Sequence, residues 1–205
     1  MEYLSIPQRV FIMARTKEFD ENTILTKAMN LFWCKGYNAT SAQDLVDGLG
    51  ISRSSLYDTF GDKHNLFVLS LKEYRKQMAG GLIEMIENST NAEKTIKQIF
   101  QVATTETLED KLQKGCFMVN STIELATSDR EIAKIVNENM QDIENALCSI
   151  IKKGQDEGQL NSNYSALSLS RFLFNTISGI RVASKSGADK KVYDDIVKVT
   201  LSVLK

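Results

Sequence analysis

The sequence contains few of the residues that build metal centres, disulfide frameworks and hydrolytic active sites. Its 205 residues include one histidine and three cysteines, and Cys34, Cys116 and Cys148 form no C-x-x-C pair. A single histidine cannot provide metal-ligand spacing, and the chain has neither a glycine-rich phosphate loop nor a nucleophile elbow. We therefore predict no metal, no cofactor and no enzymatic activity. Unpaired cysteines are typical of a reducing compartment, so we expect a cytoplasmic protein.

The chain also lacks long apolar runs and an excess of charge of either sign. No run reaches the length of about 20 residues that a membrane-spanning helix needs, so no membrane partner is expected. The formal net charge is −1. This balance argues against strong non-specific binding to nucleic acid, but it leaves room for a few well-placed phosphate contacts.

Proline and strand patterns are scarce as well. Pro7 is the only proline, so no later helix is interrupted by a missing N–H group. The sequence is 42% hydrophobic, and its apolar residues recur at intervals of three and four rather than two. These patterns predict an all-α fold. Met13 has the appearance of a start, so we interpret residues 1–12 as an upstream extension.

Residues 40–63 predict two short helices joined by a tight turn. Thr40 is the expected N-cap of the first helix, and Gln43 completes a capping-box pattern. Gly50 can adopt the left-handed conformation that ends a helix, and Ser52 is the expected N-cap of the second. A polar helix that follows such a turn is typical of a helix-turn-helix, whose second helix fits the DNA major groove.

Polar side chains on the outward face of this motif are the expected DNA contacts. Arg53 is the longest donor at the start of the second helix, and arginine is suited to a bidentate contact with guanine. Lys63 follows Asp62, the predicted cap of the next helix, and a lysine beside free N–H groups favours a phosphate. The predicted DNA-binding residues are Thr40, Ser52, Arg53, Ser54, Tyr57, Thr59 and Lys63.

The motif resembles the DNA-binding region of the TetR family of transcriptional regulators. The residues that carry the resemblance are Thr40, the Gly50-Ile51-Ser52 turn, Leu56, Tyr57, Phe60 and Lys63, preceded by Ala28, Leu31, Phe32, Gly36 and Tyr37. The resemblance implies an N-terminal three-helix helix-turn-helix domain over residues 14–63 and a C-terminal helical bundle for ligand binding and dimerisation over residues 64–205.

The same resemblance implies a repressor that binds a palindromic double-stranded DNA operator as a homodimer. A small-molecule or electrophile effector would release it from the operator. One alternative is a helical protein-interaction module without DNA binding. Another is an enzyme built on a helical bundle, which would need catalytic residues that the sequence does not show.

Further helices are predicted along the chain. The first covers 20–35, with Asp20 or Asn22 as its cap, and the fourth bends or ends at Gly80-Gly81, because adjacent glycines destabilise a helix interior. The remaining predicted helices cover 92–107, 115–126, 129–154, 164–185 and 189–204, with a polar loop over 108–114.

Cys116, Asn120 and Glu124 recur at steps of four residues on a largely apolar helix. One interpretation is a ligand pocket lined by this stripe with Phe100 and Phe172 nearby, because buried polar groups need partners. The alternatives are hydrogen bonding between helices or plain exposure. The run from Cys116 to Asn120 also resembles TetR-family members that use a cysteine here to sense electrophiles or oxidants, and a helix N-terminus favours the reactive thiolate. A buried, inert cysteine is the alternative at that position.

Two long helices carry more apolar surface than one chain's bundle needs. The helix over 164–185 is apolar on several sides, and the helix over 129–154 has a long apolar stripe. Exposing several large apolar side chains is unfavourable, and most closed assemblies are two-fold dimers. We therefore predict that these helices form a four-helix interface in a homodimer, where Ser170, Ser178 and Gly179 allow close approach.

Overall fold

Nine α-helices make up the part of the chain that the structure describes. The computed structural model describes residues 19–205, so the predicted domain start at residue 14 and the interpretation of residues 1–12 lie outside the described residues. The helices in chain order are α1 (Glu21–Lys35), α2 (Ala42–Leu49), α3 (Arg53–Phe60), α4 (Lys63–Glu87), α5 (Ala92–Glu109), α6 (Phe117–Leu125), α7 (Arg130–Asp156), α8 (Ala166–Lys185) and α9 (Lys190–Ser202). No strand occurs in this range, which confirms the all-α prediction. None of these helices is long and apolar enough to cross a membrane.

Short polar side chains begin several helices where the sequence predicts them. Asp20, Ser52 and Asp62 each accept a hydrogen bond from a backbone N–H in the first turn of the following helix. Asp129 and Asp189 do the same at the starts of α7 and α9. Such caps satisfy donors that have no partner inside the helix, which is why these starts are readable from the sequence.

The cap of α2 lies one residue later than predicted. Ser41, not Thr40, accepts the hydrogen bond from Asp44 N (3.1 Å), and the Asp44 carboxylate accepts from Ser41 N (2.7 Å). Gln43 therefore has no part in the capping box. Gly50 ends α2 in the left-handed conformation with φ 71°, as predicted.

α4 continues through its paired glycines, so the predicted helix end there is wrong. Gly80 and Gly81 are exposed, and a Cβ added at either would meet no heavy atom within 4 Å. Ala79 and Ile86 are buried, at 4% and 9% exposure. Packing of that buried face outweighs the low helix propensity of the two glycines. α5 likewise runs two residues into the loop predicted over 108–114.

Two apolar cores hold the helices together. The first joins α1–α3, which we call the head, and the first half of α4 to α6 and the start of α7; it includes Phe32, Leu45, Leu56, Phe67, Phe117 and Ile132. The second joins the end of α4 to α5, α7, α8 and α9, and it includes Ile86, Ile96, Ile151, Leu173 and Tyr193. Because Phe117 and Ile132 pack in the same core as the head, packing is continuous across residue 63. The domain boundary at that residue stays a prediction.

Candidate nucleic-acid interface and ligand cavity

The orientation of α3 is set by two large side chains on one of its faces. Leu56 and Phe60 are 1% and 5% exposed in the first core, and residues four apart share a helix face. Ser52, Arg53 and Ser54 are exposed at the N-terminal end of α3. In a helix-turn-helix complex this end of the recognition helix meets the base edges. Three of the predicted DNA contacts therefore share one accessible surface.

The exposed side chains at this end differ in whether they are available to contact DNA. The Ser52 hydroxyl accepts a hydrogen bond from Ser55 N (3.1 Å) and lies 3.0 Å from Ser54 Oγ. Ser52 is thus committed to capping α3. Arg53 makes no hydrogen bond or ion pair through its side chain with the described residues, so its guanidinium is free to contact a base or a phosphate.

Lys63 occupies the first position of α4, beside the unpaired N–H groups of that helix. Its Nζ lies 4.2 Å from the centre of the Tyr37 ring, a cation–π contact. Burial lowers the pKa of Lys63, and neighbouring carboxylates partly offset this effect. Tyr57 and Thr59 are half-buried; their DNA contacts, like that of Lys63, stay predictions.

Thr40 is placed differently from the other predicted DNA contacts. Its side chain is fully buried, at 0% exposure, and its hydroxyl donates to Gly36 O at 2.6 Å. The Thr40 hydroxyl is thus committed to a partner inside the protein, and the predicted DNA contact of Thr40 stays a prediction. The residue closes the loop between α1 and α2. The sequence signal that we missed is Asp44, which lies three residues after Ser41 and completes a capping box with it.

A cavity of about 340 Å³ lies where the two cores meet, and we call it the central cavity. Its wall includes Tyr74, Met78 and Leu82 of α4, Cys116 at the start of α6, Met118, Val119 and Ile123 of α6, Val136, Asn139 and Met140 of α7, and Phe174, Ile177 and Arg181 of α8. The volume is in the range of small-molecule sites, which are mostly apolar with a few placed polar groups.

Only one of the five predicted ligand-binding residues, Cys116, lines the central cavity. Phe100 is 0% exposed in the second core, and Phe172 is 42% exposed and not part of the cavity wall. Asn120 donates through Nδ2 to Lys114 O at 2.8 Å. For Asn120, the alternative of hydrogen bonding within the protein is therefore the one observed.

The predicted stripe fails because four residues are not a whole number of helical turns. Each step of four advances about 40° around an α-helix, so Glu124 is rotated from Asn120, and Cys116 is the extended N-cap that precedes the helix. That rotation takes Glu124 out of the central cavity and towards the head. The α6 residues that do face the cavity lie between Cys116 and Glu124, among them Met118 and Thr122.

Glu124 holds the loop between α1 and α2. Its carboxylate accepts hydrogen bonds from Tyr37 N (3.1 Å) and Asn38 N (2.7 Å). The contact is close, since a Cβ added to Gly36 would lie 3.1 Å from the Glu124 carboxylate. Helix α6 therefore contacts the cavity on one side and the head on another. Local sequence patterns carry no signal for this long-range contact.

Cys116 is tied to the head through two aromatic side chains. The Tyr74 hydroxyl donates to Cys116 Sγ at 3.5 Å. Burial is the main cause that raises the pKa of Tyr74 well above its ordinary value, and the neighbouring Cys116 raises it further. The hydroxyl therefore remains a donor at neutral pH. The Trp33 ring of α1 packs edge-on against Tyr74, with centroids 4.9 Å apart, and Trp33 Nε1 donates to Gly115 O at 3.1 Å.

Arg181 is the charged residue of the cavity wall. Its side chain is 15% exposed and forms an ion pair with Glu106 of α5. Burial alone would lower the pKa of Arg181, but the hydrogen bond and the charge of Glu106 outweigh it, and the pKa is raised. Glu106 lines a neighbouring cavity of about 260 Å³, to which Arg181 also contributes.

Large apolar side chains are exposed on several helices of the bundle, and α8 and α9 carry five of them. Leu167, Phe172 and Val182 of α8 are 42–45% exposed, and Val192 and Val199 of α9 are 43% and 64% exposed. Most of the apolar stripe of α7 is buried inside the subunit, although Met140 is 36% exposed, so the predicted participation of α7 in the interface stays a prediction. The buried stripe includes Ile132, Ile135, Leu147, Ile150 and Ile151.

Two family models match most of the chain. Residues 24–68 match the description "Bacterial regulatory proteins, tetR family". Residues 92–200 match "Tetracyclin repressor-like, C-terminal domain". The first match contains the helix-turn-helix, and the second contains α6–α8 with most of the central cavity.

Two curated proteins and one solved structure resemble the chain over nearly its full length. An uncharacterized HTH-type transcriptional regulator of Bacillus subtilis, YezE, is 34% identical over 94% of this chain and 100% of its own. The HTH-type transcriptional repressor ComR of Escherichia coli is 28% identical over 91% of this chain and 90% of its own. A cysteine mutant of the regulator CifR, complexed with 26 bp double-strand operator DNA, superposes with a TM-score of 0.83 at 20% identity, covering 94% of this chain and 100% of that one.

Proposed function

Because the chain belongs to the tetR family of bacterial regulatory proteins, we propose that it represses transcription as a homodimer on a palindromic operator and that a small molecule in the central cavity releases it. The observation that carries the proposal is that α6 contacts both the central cavity and the head. A ligand that changes the position of α6 would therefore act directly on the orientation of α3.

DNA recognition is proposed to begin at the N-terminal end of α3. The free guanidinium of Arg53 would read a base edge or contact a phosphate. Lys63 at the start of α4, with the N–H groups of that helix end, would hold the DNA backbone. The name of the relative ComR as a transcriptional repressor and the operator complex of CifR support this assignment.

Dimerisation is proposed through α8 and α9. Phe172 and Val182 of α8 and Val192 and Val199 of α9 leave large apolar surface exposed in the single subunit. Packing these helices against their copies across a two-fold axis would bury that surface in a four-helix interface. Two heads about 34 Å apart would then read the two halves of a palindrome on one face of the DNA.

Release is proposed to follow from a ligand that prefers one position of α6. An effector can change DNA affinity only if it binds the two conformations with different affinity. Glu124 would transmit a movement of α6 to the loop before α2, and Trp33 would transmit it to α1. The effector would then favour a head orientation in which the two α3 helices no longer match the operator.

An electrophilic effector would use the Cys116 thiol at the cavity wall. For a conjugated carbonyl compound, a C–S bond would form at the β-carbon while the carbon–carbon π bond breaks. The thiol proton would end on the α-carbon, so the addition needs no oxidant or reductant. The Tyr74 hydroxyl beside Cys116 Sγ would hydrogen-bond to the sulfur during the attack.

Selection of bound DNA from a random pool tests the proposed function. The purified protein is expected to enrich one palindromic sequence, and footprinting should protect both halves equally. A protein that enriches no sequence while remaining a folded dimer would instead be the interaction module without DNA binding. Arg53→Ala provides the control, because it should weaken enrichment while leaving the fold intact.

A further inference from the structure

Asn139 is a largely buried polar side chain of the central cavity that has no hydrogen-bond partner among the described residues. Asn139 of α7 is 6% exposed and lines the cavity. Its side-chain amide makes no hydrogen bond with any described residue. A largely buried polar group that lacks a protein partner is expected to meet water or a ligand. Among the described residues, Tyr193 Oη is the side-chain polar atom that is both fully buried and unpaired. The Asn139 amide atoms therefore keep accessible surface, and the amide offers the cavity both a donor and an acceptor.

The other polar groups of the wall either have partners or, like Asn137 and Ser178, lie at more exposed positions than Asn139. The Thr122 hydroxyl donates to Met118 O at 2.8 Å, and the Tyr74 hydroxyl donates to Cys116 Sγ at 3.5 Å. Asn175, which is exposed, donates through Nδ2 to Arg171 O at 2.8 Å. Asn139 is thus the nine-tenths-buried group of this wall that is left for a ligand.

The charge of the wall is already neutralised. Among the wall residues only Arg181 carries a charged side chain, and its guanidinium pairs with Glu106, which lines the neighbouring cavity rather than the central one. An anionic ligand would have to compete with Glu106 for Arg181. A cationic ligand would meet Arg181 without a counter-charge in the wall. Electrostatics therefore favours a ligand with no net charge.

The rest of the wall is apolar and adaptable. Met78, Met118 and Met140 contribute from three different helices, and methionine side chains adjust to irregular shapes. Ile123 and Met140, which are 74% and 36% exposed, lie at the mouth of the cavity. A ligand of up to about 340 Å³ would bury most of its surface against such a wall.

We infer that the central cavity takes an uncharged, largely apolar small molecule with one group, such as an amide, that both donates a hydrogen bond to Asn139 and accepts one from it. The inference rests on the proposed function, in which this cavity is the effector site. It adds the chemical class of the effector and the residue that anchors it.

Three probes of the same shape separate the contributions of charge and hydrogen bonding. Naphthalene-2-carboxamide is uncharged with a donor and an acceptor, naphthalene-2-carboxylate is its anionic counterpart, and 2-methylnaphthalene has no polar group. Their affinities for the full-length protein are measured by titration of the Trp33 fluorescence. The carboxamide is expected to bind tightest. A carboxylate that binds more tightly than the carboxamide, or a parent protein that binds none of the three at millimolar concentration, would overturn the inference.

Asn139→Leu removes the amide while keeping the size of the side chain. It is expected to weaken carboxamide binding about tenfold, which corresponds to about 1.4 kcal/mol, and to leave 2-methylnaphthalene binding within about twofold of the parent. Asn145→Leu, at an exposed position of the same helix outside the cavity wall, is the matched control and should change neither affinity. Carboxamide binding that is equal in the parent and in Asn139→Leu would contradict the assigned anchor.

Two further measurements keep the inference separate from the proposed function. The unliganded Asn139→Leu protein should melt at or above the temperature of the parent, because the amide makes no hydrogen bond with the described residues and leucine suits the largely apolar wall. A lower melting temperature would show a structural role and overturn the inference. Operator binding is then measured with the carboxamide present. If the carboxamide binds through Asn139 but does not release the operator, the inferred ligand class stands. Only the effector role of the cavity is then refuted.

Discussion

Arg53 stands at the first position of α3 with an exposed guanidinium that no described residue pairs. Arg53→Ala is expected to weaken operator binding by about 1–3 kcal/mol, the usual loss for a bidentate arginine–guanine contact. The melting temperature should not change, because the side chain is exposed and makes no hydrogen bond or ion pair with the described residues. Gel-shift titration and thermal unfolding measure the two quantities. Lys97→Ala, an exposed charge on α5 far from the head, is the control, and a mutant with parental affinity would show that Arg53 is not a contact.

Lys63 is expected to bind phosphate and not to read sequence, since its ammonium group lies at the N-terminus of α4 over the Tyr37 ring. Lys63→Ala should weaken binding to operator and to unrelated DNA by the same factor. The slope of log affinity against log salt concentration should flatten by about 1. Fluorescence anisotropy at several salt concentrations gives that slope. A slope equal to that of the parent would remove Lys63 from the DNA contacts.

Single residues could be predicted from the sequence where their role is local. Ser52 and Asp62 act on amides within three residues of themselves, so their spacing alone identifies them as caps. Asn139 could not be identified in this way, because an asparagine on an amphipathic helix is ordinarily solvated. Its role depends on the packing of α4, α6 and α8 around it, which no local pattern encodes.

Helix α6 is the element that links the central cavity to the head, and Glu124 is the contact to test. Glu124→Gln leaves one carbonyl oxygen and no charge for the amides of Tyr37 and Asn38. Operator affinity is expected to fall, and the free energy of unfolding should drop by on the order of 1 kcal/mol, since hydrogen bonds to charged groups are stronger than neutral ones. Affinity for probes of the central cavity should not change.

Glu87→Gln provides the matched control for that change, because Glu87 is exposed at the end of α4. Denaturant unfolding, gel shift and probe titration are compared across the two variants. Equal operator affinity for Glu124→Gln and the parent would mean that α6 does not position the head through this carboxylate.

Alanine substitution of the paired glycines tests whether α4 continues through them as an unbent helix. Gly80→Ala and Gly81→Ala should each stabilise the protein by up to about 1 kcal/mol, because both positions are helical and have open space for a methyl group. Gly154→Ala is the contrasting variant and should destabilise, since its Cβ would lie 2.6 Å from Ala92 Cβ. Thermal unfolding measures all three. A loss of stability at Gly80 or Gly81 would indicate that α4 bends there in solution.

Whole elements were easier to predict than the faces they present. The positions of α5, α7, α8 and α9 follow the spacing of apolar residues and differ from prediction only at their ends. Which side of α6 meets the cavity was predicted wrongly from Cys116, Asn120 and Glu124. The rotation of a helix is decided by its neighbours, and a stripe with four-residue spacing drifts away from any fixed direction.

At the scale of the whole molecule, the proposed dimer depends on α8 and α9. Phe172→Asp and Val199→Asp each place a charge on an exposed apolar position, at 42% and 64% exposure, that the interface would bury. Both variants should sediment as monomers and lose operator binding although the head is unchanged. Leu112→Asp, at a position that is 71% exposed in the loop before α6, is the control and should remain dimeric. A parent protein that sediments as a monomer at micromolar concentration would contradict both the interface and the palindromic operator.

The shared first core limits how this regulator can be recombined with its relatives. Phe67 packs edge-on against Phe32 of α1 at 5.1 Å and against Phe117 of α6 at 5.3 Å, between ring centroids. A chimera that exchanges only the residues before 63 would set a foreign α1 against this α6 and leave the aromatic cluster mismatched. Transplanting DNA specificity between family members therefore requires α6 and the first turns of α7 to travel with the head, although they lie more than fifty residues further along the chain.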